Sequence, residues 1–244
     1  MGTFNLALTA LVVALVAIAI WLLAKRLSEG NQRAFDLLRL LAWIITVLLL
    51  VVGAVGLALN LASPSVTMDV PYSNVWPMPM PGVTIESSGA RIEGSTTAVA
   101  QLTLSGLSPA PRILWAIGQL LSVLLPASVA FLVARAAGQM KAGAPFAPVL
   151  VRTIQICAVV ILGAGVLGPL LTDVAGSVAS NEALVFGASM TGYPDTWTVQ
   201  DALPQPAVLV TLDLWPIGVA VALFVLSAAF RYGARLQKET EGLV

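Results

Sequence analysis

The chain has 244 residues, of which 58% are hydrophobic and 10% charged, and its twelve basic and twelve acidic side chains leave no net charge. An ordinary globular domain carries roughly 25% charged residues, so a mean hydropathy of +0.94 excludes a chain that hides its apolar side chains in one water-soluble core. Histidine is absent and Cys157 is the single cysteine, which excludes an intramolecular disulfide and removes the commonest metal ligand, haem ligand and general base.

Residues 5–24 are an unbroken apolar stretch closed by Lys25 and Arg26. A secretory signal peptide carries its bases before the apolar run and a small-residue cleavage site after it. The order here is reversed, so residues 1–24 predict a retained first membrane helix with its N-terminus outside. Residues 25–36, with Glu29, Arg33 and Asp36, read as a short cytoplasmic turn leading into a second membrane helix at 37–61. Trp43 falls near the inner interface of that helix, and Gly53 and Gly56 fall toward its outer half. Small residues at such spacing let helices approach closely, or they reflect only the general frequency of glycine in membrane helices.

Residues 62–111 form an extracytoplasmic segment. Prolines at 64, 71, 77, 79 and 81 forbid a helix and favour extended or polyproline-like backbone. Residues 83–106 then alternate apolar and polar, with turn signals at Ser88-Gly89 and Glu93-Gly94, which predicts two or three short strands and hence a small β-rich cap. Trp76, Met78 and Met80 read as a proline-rich lid at headgroup level, where Trp rings settle, or alternatively as a partner patch.

Residues 112–173 contain two apolar runs of matching length around a basic turn. Each is long enough to cross a bilayer, which takes about 20 residues at about 1.5 Å each. The turn carries Arg135, Lys141 and Arg152 and no acid, so the positive-inside rule places it in the cytoplasm and fixes the orientation of the chain. The first run, 113–134, holds Gln119, Ser122, Pro126 and Ser128; the proline predicts a kink, or alternatively a hinge beside a polar pathway. The second, 151–171, has Gln155 near its start and a close-packing face from Gly163 to Gly168.

Residues 174–206 read as a second outer loop, acidic through Glu182, Asp195 and Asp201. A last membrane helix is expected at 207–230, and it contains Asp213. An ionisable residue in a membrane helix marks a functional site by default, but Asp213 falls near the outer headgroup level. It is expected to be an interfacial anchor or the ion-pair partner of Arg112, or alternatively part of an ion path. Sorted by side, ten bases and four acids lie inside, including the tail 231–244, against two bases and eight acids outside. The expected fold is an all-α transmembrane bundle of five membrane helices, N-out and C-in, with a small extracytoplasmic β-rich cap.

Gly143, Pro145 and Phe146 form a Gly-Ala-Pro-Phe turn followed by Arg152, and the chain ends on Phe230, Arg231, Gly233, Leu236, Glu239, Glu241 and Val244. In both places it resembles the bacterial multipass membrane family described as domain of unknown function 2975, whose members have a Gly-x-Pro-Phe turn in a cytoplasmic loop and a Phe-Arg-x-Gly ending. The resemblance covers the second to fifth helices, with residues 1–24 an additional element. It implies no activity. Members are often encoded beside a small helix-turn-helix DNA-binding regulator, which implies a regulatory or partner-binding role.

Read from the residues alone, Arg231, Arg235 and Lys238 recur at helical spacing and form either a basic anchor for anionic headgroups or one part of a docking end for a cytosolic partner. The candidate docking residues are Gly143, Pro145, Phe146, Arg152, Arg231, Gly233, Arg235, Leu236, Glu239 and Glu241. Gln119, Gln155, Asp213 and Arg112 are the candidate polar residues in or beside the membrane.

No Gly-x-Ser-x-Gly elbow, intramembrane carboxylate pair or phosphate-binding glycine loop is present, so no catalytic residue, cofactor or metal is expected. Transport would require Gln119, Gln155 and Asp213 to face one water-filled cavity, or further copies to complete a path. The preferred expectation is a non-catalytic protein of the bacterial cytoplasmic membrane that senses, regulates or scaffolds as an accessory subunit. It meets anionic lipid headgroups and another protein or a second copy, with no direct nucleic-acid contact; the alternative is a subunit of an oligomeric transporter or channel.

Overall fold

The computed structural model describes residues 32–73, 97–144, 146–185 and 203–241. The predicted first helix, the segment with Trp76, Met78 and Met80, the turn signals at 88–94, Pro145, the loop with Asp195 and Asp201, and the side chains of Lys238 and Glu241 lie outside the described residues. In chain order the elements are α1 (Gln32–Ala62), β1 (Ser65–Ser73), β2 (Ala98–Ser105), α2 (Pro109–Lys141), α3 (Pro148–Ala183), β3 (Gln205–Pro206) and α4 (Trp215–Glu241). The described residues are mostly helical, and among them four helices are long and apolar enough to cross a membrane. With 31, 33, 36 and 27 residues, each exceeds the roughly 30 Å of a hydrocarbon core. Along these helices Leu48, Val159 and Val225 are more than half exposed, at 58%, 60% and 65%, a distribution suited to lipid rather than water.

Three helix boundaries depart from expectation. α1 starts at Gln32, inside the expected turn. α3 continues to Ala183, through residues expected to be loop, because Ala175, Gly176, Ala179 and Ser180 present a narrow face that packs on the sheet. α4 starts at Trp215 rather than 207. Pro216 sits in its first turn, where a missing N–H costs nothing, while residues 207–214 carry no regular secondary structure. Helix α2 runs without interruption through Pro126, and α3 through Pro169.

The chain divides into two compact units. The first, residues 51–125 and 162–217, contains the sheet, in the order β2-β1-β3. β1 and β2 are antiparallel, with Val66 opposite Leu104 and Val70 opposite Ala100; Tyr72 and Ser73 pair with Pro206 and Gln205. Thr67 and Thr103 face each other in this register, and their hydroxyls are 2.9 Å apart, a cross-strand pair of the kind that pins register. β1 therefore occupies the stretch where proline spacing predicted extended chain, and β2 the end of the alternating stretch. Alternate residues Val66, Met68 and Val70 point inward against Trp115 of α2 and Ala175 and Ala179 of α3. A Cβ on Gly176 would collide with the Asp69 carbonyl oxygen of β1, so only glycine allows α3 to approach the strand this closely.

Residues 207–211 lie extended along α3. The Ala207 amide donates to Ser180 Oγ (3.2 Å), the Leu209 amide to Ser177 Oγ (3.1 Å) and the Thr211 amide to Asp173 Oδ2 (2.6 Å). Alternate residues of an extended chain are about 6.7 Å apart, and residues three or four apart on a helix rise about 4.5–6 Å. Every second amide thus finds the next side chain on one helix face. Ser180 is fully buried and also donates to the Pro71 carbonyl at 2.6 Å, so it ties α3 to both β1 and the extended segment. Of the glycines expected to pack closely, Gly53, Gly165 and Gly168 abut Leu120, Pro216 and Ser122, whereas Gly56 and Gly163 face open space.

The second unit comprises residues 1–50, 126–161 and 218–244. Its described part joins α1 to α2 through Trp43 and Phe131, whose rings meet edge to face at 5.6 Å. The Arg135 guanidinium lies 5.3 Å from the Phe131 ring centre, and Lys141 pairs with Asp36 at 2.6 Å.

A turn, a helix end and a cationic groove

The candidate docking residues lie in the second unit, and the local chemistry that assembles them begins with Gly143. Helix α2 ends there with φ +69° at Gly143. The Ala144 amide donates to the Gln139 carbonyl (3.0 Å) and the Gly143 amide to the Met140 carbonyl (3.1 Å). This is the Schellman pattern, in which a left-handed residue lets the chain fold back on the last carbonyls. The Leu150 amide then donates to the Ala147 carbonyl at 2.9 Å as α3 starts. Gly143 is therefore placed by helix termination.

The sharp reversal carries Phe146 onto α4. Its ring meets Phe230 at 5.6 Å between centres and 61° between planes, and a Cβ on Gly233 would lie 2.8 Å from Phe146 Cε1. Gly233 thus makes room for the ring. The two motifs that are far apart in sequence are in direct contact through these three residues. Of the other candidates, Arg152, Arg231, Arg235, Leu236 and Glu239 are exposed. The ten candidates consequently divide: Gly143, Phe146 and Gly233 build the junction, five others are exposed, and Pro145 and the Glu241 side chain lie outside the described residues.

The same helix also carries a groove of about 330 Å³ on one face, lined by Phe224, Ser227, Ala228, Arg231 and Arg235, with Gln155 of α3 across from them. Spacings of three and four residues put these side chains in one row. Gln155 Nε2 donates to Ser227 Oγ at 3.4 Å, and Ser227 donates to the Phe224 carbonyl at 2.9 Å. This satisfies a serine hydroxyl on a residue only 2% exposed.

The other polar candidates lie elsewhere. Arg112 does not pair with Asp213. Its Nη2 donates to the Asn60 carbonyl (3.1 Å) and to the Ser63 carbonyl, placing a cation at the end of α1, where helix carbonyls lack partners. Asp213 is an exposed residue of the irregular segment before α4, not part of a helix. Gln119 is exposed on α2, while Gln155 lines the groove. A second cavity of about 200 Å³, in the sheet-bearing unit, has Asp69 and Asp173 in its lining. Asp173 Oδ2 there already accepts from both the amide and the hydroxyl of Thr211. Among the described residues no three His, Cys, Asp or Glu side chains converge on a point that could hold a metal ion.

Sequence reasoning missed the Asp173, Ser177, Ser180 ladder. Its signal was present: those residues recur at helical spacing, and the apolar run at 207–214 is rich in Val and Thr, as extended chain often is. No family model, curated protein or solved structure matches the chain.

Proposed function

We propose that the chain is a non-catalytic integral protein of the bacterial cytoplasmic membrane, a regulatory or accessory subunit that docks a protein partner. The turn at 143–146 and the end of α4 supply the docking surface, which faces the cytoplasm. The observation that carries the reading is the Phe146 contact with Phe230 and Gly233. It holds two remote chain segments together as a single platform, with exposed cations, an anion and Leu236 around it. The same contact joins the two motifs on which the resemblance to domain of unknown function 2975 rests, and kinship with that family belongs to this proposal. The cytoplasmic orientation follows from the basic turn of Arg135, Lys141 and Arg152. A fifth span at residues 1–24, N-terminus outside, completes the proposed topology.

Site-specific cross-linking tests this. A photoreactive phenylalanine analogue at position 152 or 239, on the exposed rim, is expected to trap one companion protein of defined mass. The same analogue at position 48, on the apolar surface of α1, is expected to trap none. Identical cross-links from all three positions would contradict a discrete surface. Orientation is read separately: a cysteine introduced as Ala142→Cys should react with a membrane-impermeant thiol reagent only after the cells are permeabilised.

A further inference from the structure

The groove on α4 sets two cations at one end of a row whose other end is apolar. Arg231 and Arg235 are one helical turn apart and exposed, and among the described residues neither guanidinium is ion-paired. Both lie in the last six residues of an apolar span that runs 22 residues, Trp215–Leu236. That length, about 33 Å of helix, matches a hydrocarbon core of about 30 Å, so the two cations fall where the hydrocarbon ends and the phosphates begin. In the other direction along the row the groove turns apolar through Ala228 and Phe224, the latter 40% exposed. Gln155 keeps one amide N–H after its bond to Ser227, and Tyr232 adds a hydroxyl, on a side chain 64% exposed, at the rim.

We propose that this groove binds one anionic phospholipid. Its phosphate sits on Arg231 and Arg235 with Gln155 as an additional donor, and an acyl chain lies along Ala228 and Phe224. Guanidinium forks suit phosphate oxygens geometrically, and a cation row continuous with an apolar floor fits a headgroup joined to its chain. A soluble anion would use only the first half. The proposal rests on α4 being a membrane span, and not on the protein-docking surface.

The test is native mass spectrometry of the full chain purified in a neutral detergent, where attraction to a charged bilayer surface is absent. Phosphatidylglycerol or phosphatidylcholine is titrated in. One phosphatidylglycerol is expected to be retained at concentrations at which phosphatidylcholine is not. Charge-assisted hydrogen bonds are strong enough that Arg231→Gln and Arg235→Gln should each lower retention about tenfold. Arg152→Gln, which removes an equal charge outside the groove, should leave retention unchanged. Should either groove variant be polydisperse on size exclusion, Phe224→Ala, which is expected to weaken retention by shortening the apolar floor, decides in its place. Equal retention of both lipids, or an equal loss in Arg152→Gln, would overturn the proposal. Displacement of the lipid by millimolar inorganic phosphate would show that the cations take a free anion and would overturn the lipid assignment. Loss of the cross-linked companion with lipid retention intact bears on the docking surface alone.

Discussion

Each unit has its own internal chemistry. In the sheet-bearing unit the contacts are backbone-close: Gly176 against the Asp69 carbonyl, Ser180 between Pro71 and Ala207, Ser177 under Leu209. Most polar groups named there are used internally, the buried Nε of Arg112 being an exception. In the other unit the described contacts are side chain on side chain, through Trp43 with Phe131 and Phe146 with Phe230, and among the described residues Arg231 and Arg235 of the groove have no ionic partner. A partner is better sought on the second unit: a network whose donors and acceptors are mostly satisfied has little to offer one, whereas aromatic packing fixes a surface without using the Arg231 and Arg235 charges.

Substitutions should respect this contrast. The largest effect is expected from Gly176→Val, which drives a branched side chain into the β1 backbone with no flexible neighbour to yield. Overpacking of this kind costs about 3 kcal/mol or more, and thermal unfolding in detergent should show a large drop or no folded protein. A wild-type melting curve would break the claim of close approach. Ser180→Ala comes next. It strands the Pro71 carbonyl and the Ala207 amide in a buried setting, at a cost of about 2–3 kcal/mol, and hydrogen exchange should accelerate at Ala207. Gly233→Val should cost about 1–3 kcal/mol, because the Phe146 ring must move, and it should free the turn to proteolysis near residue 146 without unfolding the sheet-bearing unit. Lys141→Ala should be the mildest. Its partner Asp36 and Lys141 itself are half exposed, at 52% and 39%, and such pairs contribute about 0–1 kcal/mol. A larger loss there than in Ser180→Ala would reverse the comparison.

The apolar spans were readable because hydropathy over some 20 residues is a strong signal, and α1, α2 and the start of α3 lie within several residues of where it placed them. The beginning of α4 was not, since residues 207–214 are as apolar as the helix that follows; a composition window runs through Asp213 without seeing the Ser and Asp side chains that hold those amides extended. The end of α3 was misread for the opposite reason. Ser177, Ser180, Asn181 and Glu182 look like loop, yet Ser180 is buried against β1 and Glu182 accepts from the amide and hydroxyl of Ser108 at 2.9 and 2.5 Å. Arg112 was expected to seek the nearest acid, but helix-end carbonyls gave it partners already fixed in place. At the candidate site the residues were legible as motifs, but their contact was not. Nothing local in Phe146 reveals that Gly233 leaves space for it, and the pairing of Gln155 with Ser227 likewise depends on how α3 meets α4.

The central claim is that the 143–146 turn and the end of α4 act as one docking surface. Mild-detergent purification from the native membrane, with mass spectrometry of what accompanies the chain, tests it most directly when the intact protein is compared with Phe146→Ala and with a chain lacking residues 237–244. A companion at fixed stoichiometry is expected with the intact chain and lost from both variants, while all three remain membrane-inserted. A companion retained equally by all three, or a homogeneous chain with none, would contradict it.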